Sequence, residues 1–89
     1  MLAASFTTQF KRDLKRAKRR GKDTDKIKAV MSKLIDEEIL EERYRDNALI
    51  GNYIGRRECH IEPDWLLIYK LQDDEIIFER TGTHADLFE

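Results

Sequence analysis

Apolar positions in the first part of the chain recur with a helical period. Phe10, Leu14 and Ala17 fall at i, i+4 and i+7 amid lysines and arginines. Ile27, Val30, Met31, Leu34 and Ile35 continue i, i+3, i+4, i+7, i+8, the spacing that lines up side chains along one stripe of an α-helix. Thr7 or Thr8 caps the first helix and Asp23 or Thr24 the second, because a short side-chain oxygen there accepts an otherwise orphaned backbone N–H. Gly21 stops the first helix, since it takes the left-handed conformation at little cost. The pattern therefore predicts two helices folded back as an antiparallel hairpin. Ahead of them, "LAASF" reads as a short edge strand.

Residues 41–55, "EERYRDNALIGNYIG", hold no sustained period. They read as a long loop with Leu49 and Tyr53 pinned to the core, and a loop of that length in a small domain is a functional candidate. Beyond Gly55 the period becomes two. In "RRECHI", Arg56, Glu58 and His60 share one strand face and Arg57, Cys59 and Ile61 the other. "EPD" breaks that strand because Pro63 has no N–H for a ladder. "WLLIYKL", apolar on both faces, reads as a central strand, "QDDE" as a turn, "EIIFERT" as a further strand and "GTHADLFE" as a tail. Strand, two helices, then three strands on short turns predict an α+β domain: a small antiparallel sheet of about four strands, with the hairpin packed on one face. The other face, or its rim, is left to bind something.

The 89 residues suffice for one domain, 1–89, and no second core. At 40% hydrophobic and 39% charged, it has a modest core under a heavily charged surface. Its single cysteine, Cys59, forms no intramolecular disulfide and suits a reducing compartment. No apolar run reaches membrane-spanning length, and "MLAASFTTQF" lacks the basic start and apolar middle of a secretion signal. The expected address is the cytoplasm, with no membrane partner.

The net charge of −1 hides an asymmetry. Lys11 to Lys33 carry eleven Lys/Arg against three Asp, a local balance of +8, and the rest carries six against fifteen, or −9. A basic half can bind a polyanion although the whole is slightly acidic. Lys11, Lys15, Arg16, Lys18, Arg19 and Arg20 are the candidate RNA-docking cations, with a merely solvated helix face as the plain alternative.

Both histidines, the only Trp and the only Pro lie in "RRECHIEPDWLLIYK" and "RTGTHADLF". Together with "RDNALIGNYIG", these strings resemble the YafQ branch of the RelE/ParE toxin superfamily. The combination H-x-E-P-D-W followed by R-T-G-T-H-x-x-L-F carries most of the likeness, which extends over nearly the whole chain. The resemblance implies a RelE-like fold and the toxin half of a type II toxin–antitoxin pair. It also implies a ribosome-dependent, metal-independent endoribonuclease that cuts messenger RNA in the decoding (A) site without a cofactor. A DinJ-like antitoxin would neutralise it, in a toxin–antitoxin heterotetramer. Position by position, the family's functional set falls on Glu58, His60, Asp64, Trp65, His84 and Phe88. Glu58 stands where a family example carries Asp. Asn47, in "RDNAL", stands where a histidine is expected, and an amide cannot exchange a proton near neutral pH. The acidic overall balance is a second departure.

Metal-free RNA cleavage runs through attack of the 2′-hydroxyl on its own phosphorus. It needs a base, an acid for the leaving 5′-oxygen and a cation for the developing charge. Histidine serves both proton-transfer roles because its unperturbed pKa is about 6.5, and each positioned transfer contributes roughly 10²–10⁴-fold. His84 is the candidate acid or leading proton-transfer group, Asp64 the base or the group orienting one, and His60 their partner at the phosphate. Arg80 and Arg56 can match phosphate oxygens bidentately. Trp65 and Phe88 would stack on a splayed base or wall the site. A zinc site from Cys59, His60 and His84 is disfavoured, since Cys59 and His60 point to opposite strand faces. Rival readings are a non-enzymatic RNA-binding repressor and a partner-binding module on the same fold. A ParE-like gyrase poison is a third, against which "RTGTH" argues.

Overall fold

A computed structural model describes every residue, Met1–Glu89. The elements are β1 (Ala3–Phe6), α1 (Thr8–Arg19), α2 (Thr24–Ile35), β2 (Asn47–Ala48), β3 (Arg57–Glu62), β4 (Trp65–Gln72), β5 (Glu75–Gly82) and α3 (His84–Phe88), with 3₁₀ turns at Glu42–Tyr44 and Gly51–Tyr53. Thr7 caps α1 by accepting the N–H of Phe10, and Asp23 caps α2 by accepting that of Asp25. The first helix ends in a Schellman motif, with the N–H of Lys22 on the carbonyl of Ala17 and that of Gly21 on Lys18. It requires the positive φ of 84° at Gly21.

The sheet runs β1-β5-β4-β3-β2. It extends the expected sheet in two ways. The two-residue β2 adds a fifth strand opposite Glu58 and Arg57, and β1 runs parallel to β5, placing Ala3–Phe6 beside Glu75–Phe78. The remaining pairings are antiparallel. Parallel neighbours need a long crossover, and here α1, α2 and the three later strands all lie between the two partners.

Both helices cover one face. Phe10 and Ala17 of α1 and Ile27, Val30, Met31 and Leu34 of α2 are buried against Cys59, Ile61, Trp65, Leu67, Tyr69, Ile76 and Phe78. On the opposite face Leu66 and Ile68 pack with Leu87 of α3 and with Leu49 and Tyr53. Those last two anchor the 41–55 segment as expected, and the face is thus only partly open. The tail forms α3. Its Thr83-x-x-Asp86 pair is a capping box, with Thr83 Oγ1 accepting from Asp86 N and Asp86 Oδ2 from Thr83 N.

Two bulges flank this second face. The β3/β4 register skips Ile61 beside the Pro63–Asp64 turn, and the β4/β5 register skips Glu79. Such extra residues bend a strand and re-aim the side chains next to them.

Candidate active site

The turn after β3 and the first residue of α3 meet. Asp64 Oδ1 accepts the backbone N–H of His84 at 2.8 Å and lies 2.6 Å from Nδ1 of the same residue. A carboxylate only accepts, so Nδ1 carries the proton and Nε2 is left free. These two bonds, the backbone one first, hold the Asp64 carboxyl below its usual range, so it is ionised at neutral pH. The His60 ring, on the open face of β3, has its centroid 5.7 Å from that of His84. His60 Nε2 stands 3.6 Å from Glu58 Oε1, too long for a hydrogen bond. Asn47 is directly opposite Glu58 across the β2/β3 pair, and so belongs to the same face. Its amide reaches only the carbonyl of Ala48. Phe88, one helical turn beyond His84, has its ring 6.2 Å from the imidazole, and the Tyr53 ring meets Phe88 edge-on at 5.6 Å. The Tyr53 hydroxyl donates to the carbonyl of Leu87, tying the 51–53 turn to α3.

Of the residues singled out from the sequence, His60, Asp64, His84, Glu58, Asn47 and Phe88 thus gather at one end of the sheet. Others are placed differently. Trp65 is 1% exposed on the helix-covered face, and its Nε1–H donates to the buried Thr81 Oγ1, whose own hydroxyl donates to the carbonyl of Leu66. It has no free ring face for a base, so the stacking role is corrected to support from within the core. Arg56 reaches across β4 to Glu79 at 2.9 Å. Arg80 is gripped by Asp13 of α1, with Nε 2.7 Å and Nη2 3.4 Å from its oxygens. Among the docking cations, Arg16 and Arg20 turn to Asp86 of α3, at 3.5 and 2.7 Å. Lys11, Lys15, Lys18 and Arg19 remain exposed on the outer face. Cys59 is fully buried beneath the helices, and burial pushes its thiol up to about 12. No three His, Cys, Asp or Glu side chains converge as metal ligands.

Residues 2–89 match the family of bacterial toxins of type II toxin–antitoxin systems named YafQ. The chain belongs to the YafQ toxin family. It is 48% identical over 84 residues to the mRNA interferase toxin YafQ of Escherichia coli strain K12, covering 93% of this chain and 91% of that one. The crystal structure of YafQ from E. coli strain BL21(DE3) superposes with a TM-score of 0.95 at 43% identity, and the toxin of the E. coli DinJ–YafQ complex with 0.93 at 44%, each covering 100% of both chains.

Two parts of this YafQ-family site escape a linear reading. Asp13 sits on the apolar stripe of α1 between Phe10 and Leu14, where a charge is out of place; that position was the available signal. Gly82 of "RTGTH" is buried, and a Cβ there would stand 2.9 Å from both Cβ and Oδ2 of Asp86. The glycine lets α3 close down on β5 and so fixes where His84 sits.

Proposed function

We propose that this YafQ-family toxin cleaves messenger RNA on the ribosome, by attack of a ribose 2′-hydroxyl on the adjacent phosphorus. The observation that carries this is the His84 imidazole, held through Nδ1 by Asp64 with its Nε2 unengaged, beside a second imidazole. His84 delivers the Nε2 proton to the leaving 5′-oxygen, while His60 accepts the 2′-hydroxyl proton. Asp64 fixes the His84 tautomer and balances its positive form, an orienting role, because both of its hydrogen bonds go to His84. The Arg80 guanidinium, pinned by Asp13 through Nε and Nη2, is the cation assigned to the charge that grows on the phosphate. Phe88, backed by Tyr53, offers the aromatic face that Trp65 does not. The products are a 2′,3′-cyclic phosphate and a free 5′-hydroxyl, and no metal or cofactor takes part. Asn47 contributes hydrogen bonding without proton transfer.

Lys11, Lys15, Lys18 and Arg19 dock the toxin on ribosomal RNA, an attraction that weakens with salt. A DinJ-like antitoxin neutralises it in a heterotetramer, and the pair resides in the cytoplasm. No helix is long and apolar enough to cross a membrane.

The deciding experiment is single-turnover cleavage on ribosomes stalled with a defined codon in the A site. His84→Ala lowers the rate by about 10² or more, the factor for losing a positioned proton-transfer group, with cyclic-phosphate ends on the wild-type product. A rate within about threefold of wild type overturns the assignment.

A further inference from the structure

Asp13 is 2% exposed in the middle of α1, and its carboxylate is surrounded by donors. Oδ2 accepts from Arg80 Nε at 2.7 Å and from the backbone N–H of Thr81 at 3.1 Å. Oδ1 accepts from Gln9 Nε2 at 3.0 Å, Arg16 Nη2 at 3.3 Å and Arg80 Nη2 at 3.4 Å. Arg16 also faces Asp86 at 3.5 Å, and Arg20 closes on Asp86 at 2.7 Å. The result is a chain of alternating charges, Arg80–Asp13–Arg16–Asp86–Arg20. One end holds the guanidinium of Arg80, whose register partner Ile68 lies on the open sheet face; the other holds the helix that begins with His84. A buried ion pair contributes little to stability by itself, because an apolar pair of the same shape usually packs as well or better. A carboxylate at this point of an apolar stripe therefore calls for a role beside its part in satisfying the Thr81 N–H.

We propose that Asp13 is a positioning residue for the cleavage reaction: from the buried side of α1 it fixes the Arg80 guanidinium toward the scissile phosphate, and through Arg16 it registers α3 against the same frame. The inference rests on the nuclease reading of the site. Two adjacent bonds from one carboxylate set both the direction and the plane of a guanidinium. A misplacement of about 1 Å at a charge-stabilising group is enough to cost up to about 10²-fold in rate. Asp13 touches no substrate in this scheme. It acts on the rate through Arg80 and leaves ribosome docking, which belongs to the outer face of α1, unchanged.

The test is a double-mutant cycle of Asp13→Asn and Arg80→Met in single-turnover cleavage on programmed ribosomes, read as both the rate constant at saturating ribosomes and the half-saturating ribosome concentration. Asp13→Asn lowers the rate constant about tenfold or more and leaves the half-saturating concentration within about twofold. In the Arg80→Met background the same change costs less than about twofold, because its route to the reaction has already been removed. Should Asp13→Asn alone leave the Arg80 charge stranded and fail to fold, the double variant lacks that charge, and its comparison with Arg80→Met carries the test. Losses that multiply across the cycle, or a change confined to half-saturation, overturn the inference. His84→Ala run alongside separates the two readings: if it leaves cleavage intact, the nuclease assignment has failed, whereas its loss with a silent Asp13→Asn condemns only the role given to Asp13.

Discussion

Replacing Asp64 by asparagine probes the site with the least disturbance. In the native arrangement one carboxylate oxygen receives both the backbone N–H of His84, at 2.8 Å, and Nδ1 of its ring, at 2.6 Å. An amide oxygen can still take the backbone bond, so α3 stays seated. What changes is the ring. The asparagine NH₂ can turn toward Nδ1 and donate, which moves the neutral ring's proton to Nε2, and the negative charge that balances the protonated form is gone. Asp64 is exposed, 64% at its side chain, so the effect on folding is small and the effect on chemistry is isolated. Losing a correctly protonated, oriented imidazole forfeits most of one general acid–base contribution, roughly 10²–10³-fold here out of the 10²–10⁴ range. The rate constant falls by that factor in single-turnover cleavage on programmed ribosomes, while the half-saturating concentration is unchanged. Nitrogen-15 spectra of the His84 ring supply an independent reading, with the neutral wild-type proton on Nδ1 and that of the variant shifted to Nε2. A variant cutting within about threefold of wild type, with its tautomer switched, would refute the claim that Asp64 works by orienting His84.

Other outcomes follow from the same geometry. Thr81→Val strands the Trp65 Nε1–H and removes the bond to the carbonyl of Leu66. The cost is about 2–3 kcal/mol, seen as a melting temperature lowered by roughly 10–20 °C for a domain of this size; a drop under about 5 °C counts against it. The Asp86 carboxyl is held well below its usual range, first by its hydrogen bond from Arg20, and Glu62 is lowered by Lys22 and then Lys26. Groups depressed in the folded state stabilise it fully above the unfolded carboxylate range, near pH 4. That contribution is lost as pH falls through the lowered folded values. Asp86→Asn therefore flattens the fall of melting temperature between about pH 5 and 2, and an unchanged slope speaks against the α3 clamp. Cys59, with its thiol pushed up to about 12 by burial, resists iodoacetamide in the native protein and reacts in denaturant; prompt native labelling contradicts the burial. Lys15→Glu with Lys18→Glu weakens ribosome binding and flattens its dependence on salt, by about one unit of log–log slope for each phosphate no longer neutralised. Equal slopes would remove the outer face of α1 from the docking surface.

Much of this is readable along the chain because it is local. The stripe of α2, the caps at Thr7 and Asp23, the stop at Gly21 and the two faces of "RRECHI" each depend on neighbours within a few positions. The anchoring of Leu49 and Tyr53 follows from isolated large apolar residues in a polar loop. Three things are harder. The parallel pairing of β1 with β5 joins residues more than seventy positions apart, and element order alone does not set strand direction. The helix α3 is only five residues long, too short for a period, although Thr83-x-x-Asp86 announces its cap. Asp13 shows in the sequence only as a charge on an apolar stripe, and Trp65 as a ring that stacks on a base or walls the site. Their roles depend on which face of an element is covered, and here tertiary packing decides it. The convergence of Asp64 with His84 is an expectation from family likeness; no spacing rule brings a turn and a distant tail together.

The last strand and the tail helix have a consequence for how the molecule comes into being. The segment from Glu75 onward supplies the partner of β1, the grip beneath α1 and the histidine of α3. Without that segment the N-terminal strand has no neighbour to pair with and α1 loses the strand it packs on. The β1 register, the Arg80 grip and the seat of His84 thus form together or not at all, so a change that loosens β5 is felt at the N-terminal edge and at the imidazole alike.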